Sequence, residues 1–337
     1  MRAMILEQGG SFDDPNGPLT LADIERPTPA DDEVLLEVRV CGVCHTELDE
    51  IEGRTPPPSF PVVLGHEVVG VVVERGSRAT NHEIGARLGV GWIHRSDGSE
   101  AENLVAAFRA TGRDVNGGYA EFMTVPERYA YPIPREFPDE KAAPLLCAGG
   151  IGYRALRLCN LRDGESLGLT GFGGSGHLVL QLARHQYPTS PIYVFARSEA
   201  ERAFALELGA HWAGDTSEKP PTAPAAIIDT TPAWRPVVSA LEALAPGGRL
   251  VINAIRKEDG DKELLAGIRY EDHLWHEKEI KTVANITARD IAEFLPVAAS
   301  IPIEVETTLY PLESANEALR ELKAGGVRGA KVLSINQ

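Results

Sequence analysis

The sequence predicts two folded domains of different class, one mainly β and one α/β with a parallel sheet. The chain has 337 residues, and single domains usually span about 100–200 residues. Residues 1–148 are rich in Gly, Pro and β-branched residues and show few helix patterns. From residue 149 onward, apolar strands alternate with amphipathic helices. Such alternation is typical of a parallel sheet with right-handed crossovers.

The bulk composition indicates a globular protein, with 43% apolar and 24% charged residues. A net charge of −16 disfavours nucleic-acid and anionic-membrane partners, because phosphate groups would be repelled. The opening MRAMILEQGG does not resemble a signal peptide. No stretch approaches the roughly 20 apolar residues of a membrane span. We therefore expect a cytoplasmic protein without a nucleic-acid or membrane partner.

Two strands are predicted in the first part of the chain. Residues 33–41 (EVLLEVRVC) alternate apolar and polar positions, and residues 68–76 (VVGVVVERG) form an apolar run that ends at glycine. Proline-rich breakers such as PPPSFP lie between them. These features indicate an irregular, mainly antiparallel β domain.

The second part contains strands and helices in regular succession. The predicted strands are SLGLT (166–170), PIYVFA (191–196), AAIIDT (225–230), RLVINA (249–254) and, last, KVLSI (331–335). The predicted helices are GIGYRALRLC (150–159), HLVLQLARHQ (177–186), SEAERAFALELGA (198–210), WRPVVSALEALAPGG (234–248) and LESANEALRELKAGG (312–326).

A glycine-rich turn lies between the first of these strands and the helix that follows it. Gly171, Gly173 and Gly176 match G-x-G-x-x-G, with Gly174 between them. The pattern alone is weak, but its place after an apolar strand and before an apolar helix is what a dinucleotide-binding turn requires. The first glycine permits the tight turn, the second admits the pyrophosphate, and the third allows close packing. A plain strand–helix turn is the alternative.

The end of the next strand indicates which dinucleotide is bound. NAD-binding proteins usually have an acidic residue there, about 20 residues after the glycines. This strand ends instead in Arg197 and Ser198. A guanidinium and a hydroxyl suit a 2′-phosphate, so NADP is favoured over NAD. Alternatively, Arg197 is a solvated surface residue and NAD binds without the acid.

The four cysteines raise the question of a metal site. They are Cys41, Cys44, Cys147 and Cys159, and in a cytosolic chain they are more often metal ligands, catalytic groups or buried thiols than disulfides. Catalytic zinc takes three Cys, His or acidic ligands and keeps one position open. Spacing alone leaves the choice open, because Cys41 competes with Cys44, Cys159 with Cys147, and there are nine histidines.

Several short segments, taken together, resemble zinc-containing medium-chain alcohol dehydrogenases, in particular the bacterial type without the structural-zinc cysteines. They are 41–47 (CGVCHTE), 65–67 (GHE) followed by VVGVVV, 116–121 (NGGYAE), 144–156 (PLLCAGGIGYRAL) and the glycine turn. The resemblance implies a GroES-like catalytic domain over 1–148 and 290–337. It also implies a Rossmann-type, doubly wound nucleotide-binding domain over 149–289.

The resemblance also implies roles for individual residues. Cys44, His66 and Cys147 would hold one catalytic zinc, and Glu67 would lie beside it as an alternative ligand. Thr46 would bond the substrate alcohol, and Glu47 would orient the ligating histidine. His45 would contact the cofactor diphosphate, and Asn253, at the end of its strand, is grouped with the cofactor-binding residues. Cys41 and Cys159 are expected to be buried thiols, and Trp92 is either a pocket or a core residue.

The sequence departs from the family in three places. Residues 91–119 contain no cysteine, so a Cys₄ structural zinc is not expected. Asp49 stands where relatives have a relay histidine, and an aspartate with a pKa of about 3.9 is a weaker base. Near the C-terminus, Ala330 replaces a diphosphate-binding arginine, a contact that Arg328 could supply.

The resemblance implies an NAD(P)-dependent zinc enzyme that reversibly oxidises an alcohol to an aldehyde or ketone by hydride transfer. The simplest substrate class is a primary aliphatic or aromatic alcohol. A polyol or sugar dehydrogenase of the same fold is the first alternative, and a non-catalytic, nucleotide-binding redox sensor is the second. The family also implies a homo-dimer or homo-tetramer.

Overall fold

The computed structural model describes residues 1–325 and 329–336, so Arg328 lies outside the described residues. The chain divides into two compact units. The first contains Met1–Gly150, Asn285–Ser300 and Val305–Gln337, and the second contains Ile151–Ala284 and Ile301–Glu304. The predicted boundaries were 148/149 and 289/290, whereas the units divide at 150/151 and 284/285, and the short segment 301–304 belongs to the second unit. No helix of the described part is long and apolar enough to span a membrane.

The strands, in chain order, are β1 (Arg2–Leu6), β2 (Leu19–Asp23), β3 (Glu33–Val43), β4 (Val62–Val63), β5 (Glu67–Arg75), β6 (Arg87–Val90), β7 (Ile93–Arg95), β8 (Arg109–Ala110), β9 (Phe122–Pro126), β10 (Ala130–Pro132), β11 (Leu167–Thr170), β12 (Ile192–Phe195), β13 (Trp212–Gly214), β14 (Ala226–Asp229), β15 (Arg249–Ile252), β16 (Glu279–Thr282), β17 (Thr307–Pro311) and β18 (Ala330–Ser334). The helices are α1 (His45–Ile51), α2 (Asp139–Ala142), α3 (Ala148–Leu158), α4 (Gly174–Gln186), α5 (Glu199–Glu207), α6 (Arg235–Ala243), α7 (Ala288–Ser300) and α8 (Ala315–Ala324).

The first unit is built around the long strand β3. One edge of β3 pairs with β5, and its other edge pairs first with β9 and then with β18, all antiparallel. The sheet continues through β6 and β10 on one side and β17 on the other. Most residues of β3 are buried, because both of its edges are paired. The chain thus returns near its C-terminus to complete a mainly antiparallel sheet.

The second unit is a doubly wound parallel sheet. Its strand order is β13-β12-β11-β14-β15-β16, and all neighbouring pairs are parallel. The order reverses between β11 and β14, which is the topological switch point where such sheets bind ligands at their carboxyl edge. Helix α6 covers one part of the sheet with an apolar stripe. The buried cluster there is Ile227, Val237, Ala240, Leu241, Leu244, Leu250 and Ile252.

Several helices differ from the sequence analysis, in which α1 and α2 were not identified. Helix α6 ends at Ala243, five residues before the predicted end at Gly248, because Pro246 cannot continue it. Helix α7 was not identified, and it contains Pro296 in its interior. Its buried Ile291 and Phe294 show that tertiary packing outweighs the local cost of the proline.

The cysteine-free lobe 91–119 is held by hydrogen bonds to one buried carboxylate. Glu102 is 2% exposed. Its Oε2 accepts from the Tyr129 hydroxyl at 3.0 Å, and its Oε1 accepts from the Ala288 main-chain N–H at 2.7 Å. Ser96 donates to the Glu102 carbonyl at 2.6 Å. A single side chain therefore ties the lobe to β9–β10 and to the start of α7.

Replacing Glu102 with Ala should destabilise the first unit. The change leaves the buried Tyr129 hydroxyl and the Ala288 N–H without an acceptor, which costs about 2 kcal/mol. Urea unfolding followed by near-ultraviolet circular dichroism measures the loss. Glu100→Ala is the matched control, because the Glu100 side chain is 95% exposed. Equal stability of the two variants would contradict the assigned role of Glu102.

Candidate metal centre

The start of α1 positions the first candidate ligand. Cys44 is the N-cap residue, in extended conformation at φ −118° and ψ 162°. The Cys44 N–H donates to Glu47 Oε2 at 2.8 Å, so the glutamate completes a capping box at the third helical position. The other carboxylate oxygen, Glu47 Oε1, lies 2.6 Å from His66 Nδ1. One carboxylate therefore fixes both the Cys44 main chain and the His66 ring.

Four ligand-type side chains converge beside this contact. The ligand atoms of Cys44, His66, Glu67 and Cys147 all lie within 4.8 Å of one another and could hold a metal ion. The Cys44 and Cys147 sulfurs are 4.0 Å apart. No residue of the described chain forms a hydrogen bond to His66 Nε2, although this nitrogen is buried. A buried nitrogen without such a partner is a position that a metal ion or a water molecule could occupy.

The position of Glu67 depends on a glycine in the neighbouring strand. Glu67 opens β5 and lies opposite Gly42 of β3. A Cβ at Gly42 would lie 1.9 Å from Glu67 Oε2. Only glycine at position 42 therefore leaves room for the carboxylate beside the cluster.

The ionisation of the cluster reflects its burial. The pKa of Cys44 lies well below its usual value, because Cys44 accepts from the Cys147 thiol and lies near His66. Burial raises the pKa of Glu67 well above its usual value, and the charge of Cys44 raises it further. Burial alone would lower the pKa of His66, but Glu47 and Cys44 raise it well above normal. Without a bound cation the cluster therefore retains protons that a metal would displace.

The remaining predicted site residues that lie on α1 occupy different environments. The Thr46 hydroxyl lies 3.6 Å from the Cys44 sulfur and is buried. The Asp49 carboxylate is also buried, but its Oδ1 pairs with Arg54 Nε at 2.6 Å. His45 is exposed at the first position of the helix.

The structure places Trp92 near the cluster and adds Glu50, which the sequence analysis did not identify. Trp92 lies 6.2 Å from His66, centroid to centroid, and packs edge-on against Phe108 at 5.9 Å. Glu50 is fully buried, and burial raises the pKa of its carboxyl well above the usual value, with a further increase from the charge of Glu47. The only sequence signal for Glu50 was its spacing of three from Glu47, which places both on one helix face.

The other two cysteines are buried thiols, as expected. Cys41 lies in β3 and is fully buried, and Cys159 follows α3 and is 5% exposed. Burial raises the pKa of both thiols. Neither belongs to the group that could hold a metal.

The glycine-rich turn lies in the second unit, at the carboxyl edge of its sheet. Gly171 has φ +79°, a conformation that favours glycine. No atom lies within 4 Å of a Cβ built at Gly173, so the main chain there is open to a ligand. A Cβ at Gly176 would lie 2.8 Å from the Gly171 carbonyl oxygen. The three glycines therefore have the three steric roles of a dinucleotide turn, and α4 begins at Gly174.

The other predicted cofactor residues also lie in the second unit. Arg197 is exposed, and Ser198 caps α5 by accepting from the Glu201 N–H at 3.4 Å. The side-chain nitrogen of Asn253 is buried without a hydrogen-bond partner in the described residues. His177 is buried on α4, with Nδ1 3.0 Å from the Gly173 carbonyl oxygen, which agrees with a packing role.

Comparison with known proteins assigns this arrangement to a class. Residues 30–135 match the family model of the alcohol dehydrogenase GroES-like domain. A probable alcohol dehydrogenase, AdhA, of Mycobacterium tuberculosis is 41% identical over 346 residues, which cover 99% of this chain and 97% of the relative. The fold and the cluster thus define a GroES-like, Rossmann-type oxidoreductase.

Solved structures share the fold over the whole chain. An NAD-dependent alcohol dehydrogenase superposes with a TM-score of 0.87 at 22% identity, covering 100% of both chains. A cobalt- and zinc-bound thermostable alcohol dehydrogenase from Pyrobaculum aerophilum gives a TM-score of 0.84 at 21% identity, covering 99% of both chains. The chain belongs to the zinc-type medium-chain alcohol dehydrogenase family. The predicted fold class and enzyme class are therefore confirmed.

Replacing Glu47 with Gln should weaken metal binding without unfolding α1. The amide oxygen can still accept from the Cys44 N–H, but the charge beside His66 is lost. Loss of a carboxylate that orients a ligating histidine typically lowers metal affinity about 10–100-fold. Competition for Zn²⁺ with a chromophoric chelator measures this change. Glu52→Gln, at the other end of the helix, should keep wild-type affinity, and an equal loss in both variants would refute the role of Glu47.

Proposed function

We propose that the protein is a zinc-dependent, NADP-preferring dehydrogenase that interconverts a simple primary alcohol and its carbonyl compound. The observation that carries this proposal is the convergence of Cys44, His66 and Cys147, with Glu67 beside them, around an unpartnered buried nitrogen. Membership of the alcohol dehydrogenase family supports the reaction class. A homo-dimer or homo-tetramer remains a prediction.

The donor set fits zinc. Two sulfurs bound tetrahedrally at about 2.3 Å from zinc are roughly 3.8 Å apart, and the sulfurs of Cys44 and Cys147 are 4.0 Å apart. We assign Cys44, His66 and Cys147 as ligands, with Glu67 within reach as an alternative. When bound, zinc supplies a Lewis acid that polarises the substrate oxygen. Glu47 keeps the His66 Nδ1–H directed at itself, which leaves Nε2 for the metal.

Thr46 is proposed to hold the substrate hydroxyl and to pass on its proton. The Thr46 hydroxyl can both accept and donate, and it lies 3.6 Å from the Cys44 sulfur. Asp49 occupies the relay position of the family. Its carboxylate is already engaged by the guanidinium of Arg54. We therefore propose that the relay continues from Thr46 to solvent, with Asp49 contributing negative charge.

The dinucleotide is proposed to lie on the glycine-rich turn. The open main chain at Gly173 and the N–H groups at the start of α4 suit a diphosphate, and His45 is proposed to contact it. The unpartnered amide of Asn253 offers a donor to the cofactor. When bound, the nicotinamide supplies the hydride acceptor or donor.

The preference for NADP is proposed from the end of β12. The Arg197 guanidinium has no hydrogen-bond or ion-pair partner within the described part of the chain and is exposed. The Ser198 oxygen accepts a helix-capping bond, but its hydrogen remains available to a phosphate oxygen. Both groups are therefore free to bind a 2′-phosphate.

Replacing Cys44 with Ala should abolish both zinc binding and turnover. Of the three assigned ligands only His66 and Cys147 then remain, and the Glu67 carboxyl, whose pKa burial raises well above its usual value, is a poor replacement for the lost thiolate. Metal analysis and a cofactor-absorbance assay with a panel of alcohols and aldehydes provide the measurements. Cys159→Ala is the control, since Cys159 is a buried thiol of the second unit. Normal turnover in the Cys44 variant would refute the proposed site.

Replacing Arg197 with Ala should discriminate between the two dinucleotides. Loss of a hydrogen bond to a charged group costs about 2 kcal/mol, roughly 30-fold in affinity. The KM for NADPH should rise by that factor, while the KM for NADH changes less than about twofold. Arg162 precedes β11 and therefore lies at the amino edge of the parallel sheet, away from Arg197, so Arg162→Ala serves as the control. An equal rise for both dinucleotides would overturn the NADP assignment.

A further inference from the structure

A closed polar network lies at the carboxyl edge of the parallel sheet, where β14 ends. Asp229 is fully buried. Its Oδ1 accepts from Thr170 Oγ1 at 2.5 Å and from Thr231 Oγ1 at 2.8 Å, and its Oδ2 pairs with Lys257 Nζ. The Lys257 ammonium also donates to the carbonyl oxygens of Thr231 at 2.7 Å and Ala233 at 3.1 Å. All three ammonium donors and both carboxylate oxygens are therefore occupied.

This network directly supports the glycine-rich turn. Thr170 immediately precedes Gly171, and the Thr230 hydroxyl donates to the Thr170 carbonyl oxygen at 2.9 Å. A Cβ at Gly171 would lie 2.8 Å from Thr230 Oγ1 and 2.9 Å from Thr231 Cγ2. The two threonines therefore pack so closely against the turn that they leave no room for a side chain at Gly171. A displacement of residues 230–231 would change the conformation of the turn itself.

The charges of the network also matter for an anionic ligand. Asp229 alone would place a buried negative charge beside the turn that we propose for the diphosphate. Repulsion between like charges is strong where water is excluded. The Lys257 ammonium, whose side chain is 10% exposed, cancels that charge. Without the lysine, the buried carboxylate would lose the cation that compensates its charge.

We propose that Lys257 is a positioning residue for the dinucleotide, acting through its ion pair with Asp229. Lys257 holds the main chain of residues 231–233 through its bonds to the Thr231 and Ala233 carbonyl oxygens, and it neutralises the Asp229 carboxylate beside the diphosphate. This inference rests on the proposed function, since it presupposes that the turn binds a dinucleotide. Lys257 acts through Asp229 and the threonines, and no contact with the substrate is required of it.

The test uses two single variants whose effects should have opposite signs. Lys257→Met leaves the carboxylate unneutralised, so the Kd for NADPH should rise about tenfold. In Asp229→Asn, the amide oxygen can still accept from both threonines, and Lys257 keeps its bonds to the Thr231 and Ala233 carbonyl oxygens, while the amide NH2 replaces the oxygen that faced the ammonium. The ammonium charge is then uncompensated, so NADPH should bind as tightly or up to about threefold more tightly. Fluorescence titration of the zinc-loaded, full-length protein measures Kd. If the ion pair only maintained local structure, both variants would weaken NADPH binding.

Steady-state kinetics give an independent readout. In Lys257→Met, the KM for NADPH should follow Kd while kcat changes less than about twofold, because only cofactor binding is affected. A general loss of structure would lower the active fraction, and hence kcat, at unchanged KM. Lys257→Arg keeps the charge and should bind NADPH within about threefold of the wild type.

The possible results separate this inference from the proposed function. If the wild-type protein binds neither NADPH nor NADH, the proposed function fails. If it binds one of them, but Kd is unchanged in Lys257→Met or rises in Asp229→Asn, the inference alone is overturned. If Lys257→Met fails to fold, the Kd values of Asp229→Asn and Lys257→Arg for NADPH still test the inference. Weaker binding in Asp229→Asn then rejects the inference, and unchanged or tighter binding supports it.

Discussion

The carboxylate of Glu47 is the constraint on which the metal centre depends. One oxygen accepts from the Cys44 N–H and the other contacts His66 Nδ1. The first contact fixes where α1 begins, and the second fixes the ring that faces the cysteines. Because the same side chain makes both contacts, helix capping and ligand orientation are not independent. The Glu47 side chain is long enough to span the two positions.

The surroundings of this contact are rich in buried acid. Glu47, Glu50 and Glu67 are each at most 3% exposed, and two thiols lie among them. Burial raises the pKa of Glu50 and Glu67, which shows that the pocket disfavours further negative charge. Groups with strongly shifted pKa values cluster at functional sites. A divalent cation relieves this accumulation of charge, and the proposed zinc site therefore has an electrostatic as well as a geometric basis.

In the second unit, by contrast, the buried negative charge is paired with a cation. At the carboxyl edge of its sheet, the one buried carboxylate of the network, Asp229, is fully paired with Lys257 and two threonines. The main chain of the neighbouring turn is left free, with an open approach at Gly173. A charge-compensated network beside an open main chain suits the anionic ligand that we propose there. The two proposed sites therefore differ in chemistry, one suited to a cation and the other to a diphosphate.

The fold class was determined by the sequence itself, because hydrophobic periodicity and turn residues act locally. The alternation of strands and helices after residue 149 and the spacing of Gly171, Gly173 and Gly176 were enough to predict the parallel sheet and its turn. The resemblance in short motifs added the GroES-like domain and the metal candidates. Local pattern did not reveal α7, since Pro296 argues against a helix that tertiary packing nevertheless stabilises.

Only the tertiary structure decided which side chains meet. Spacing could not choose between Cys41 and Cys44, because the choice depends on which residue lies in β3 and which caps α1. Asp229 and Lys257 are 28 residues apart, and neither carries a motif that indicates the other. Contacts of this kind depend on strand order and on where each strand ends. Those properties belong to the assembled sheet rather than to any segment of the chain.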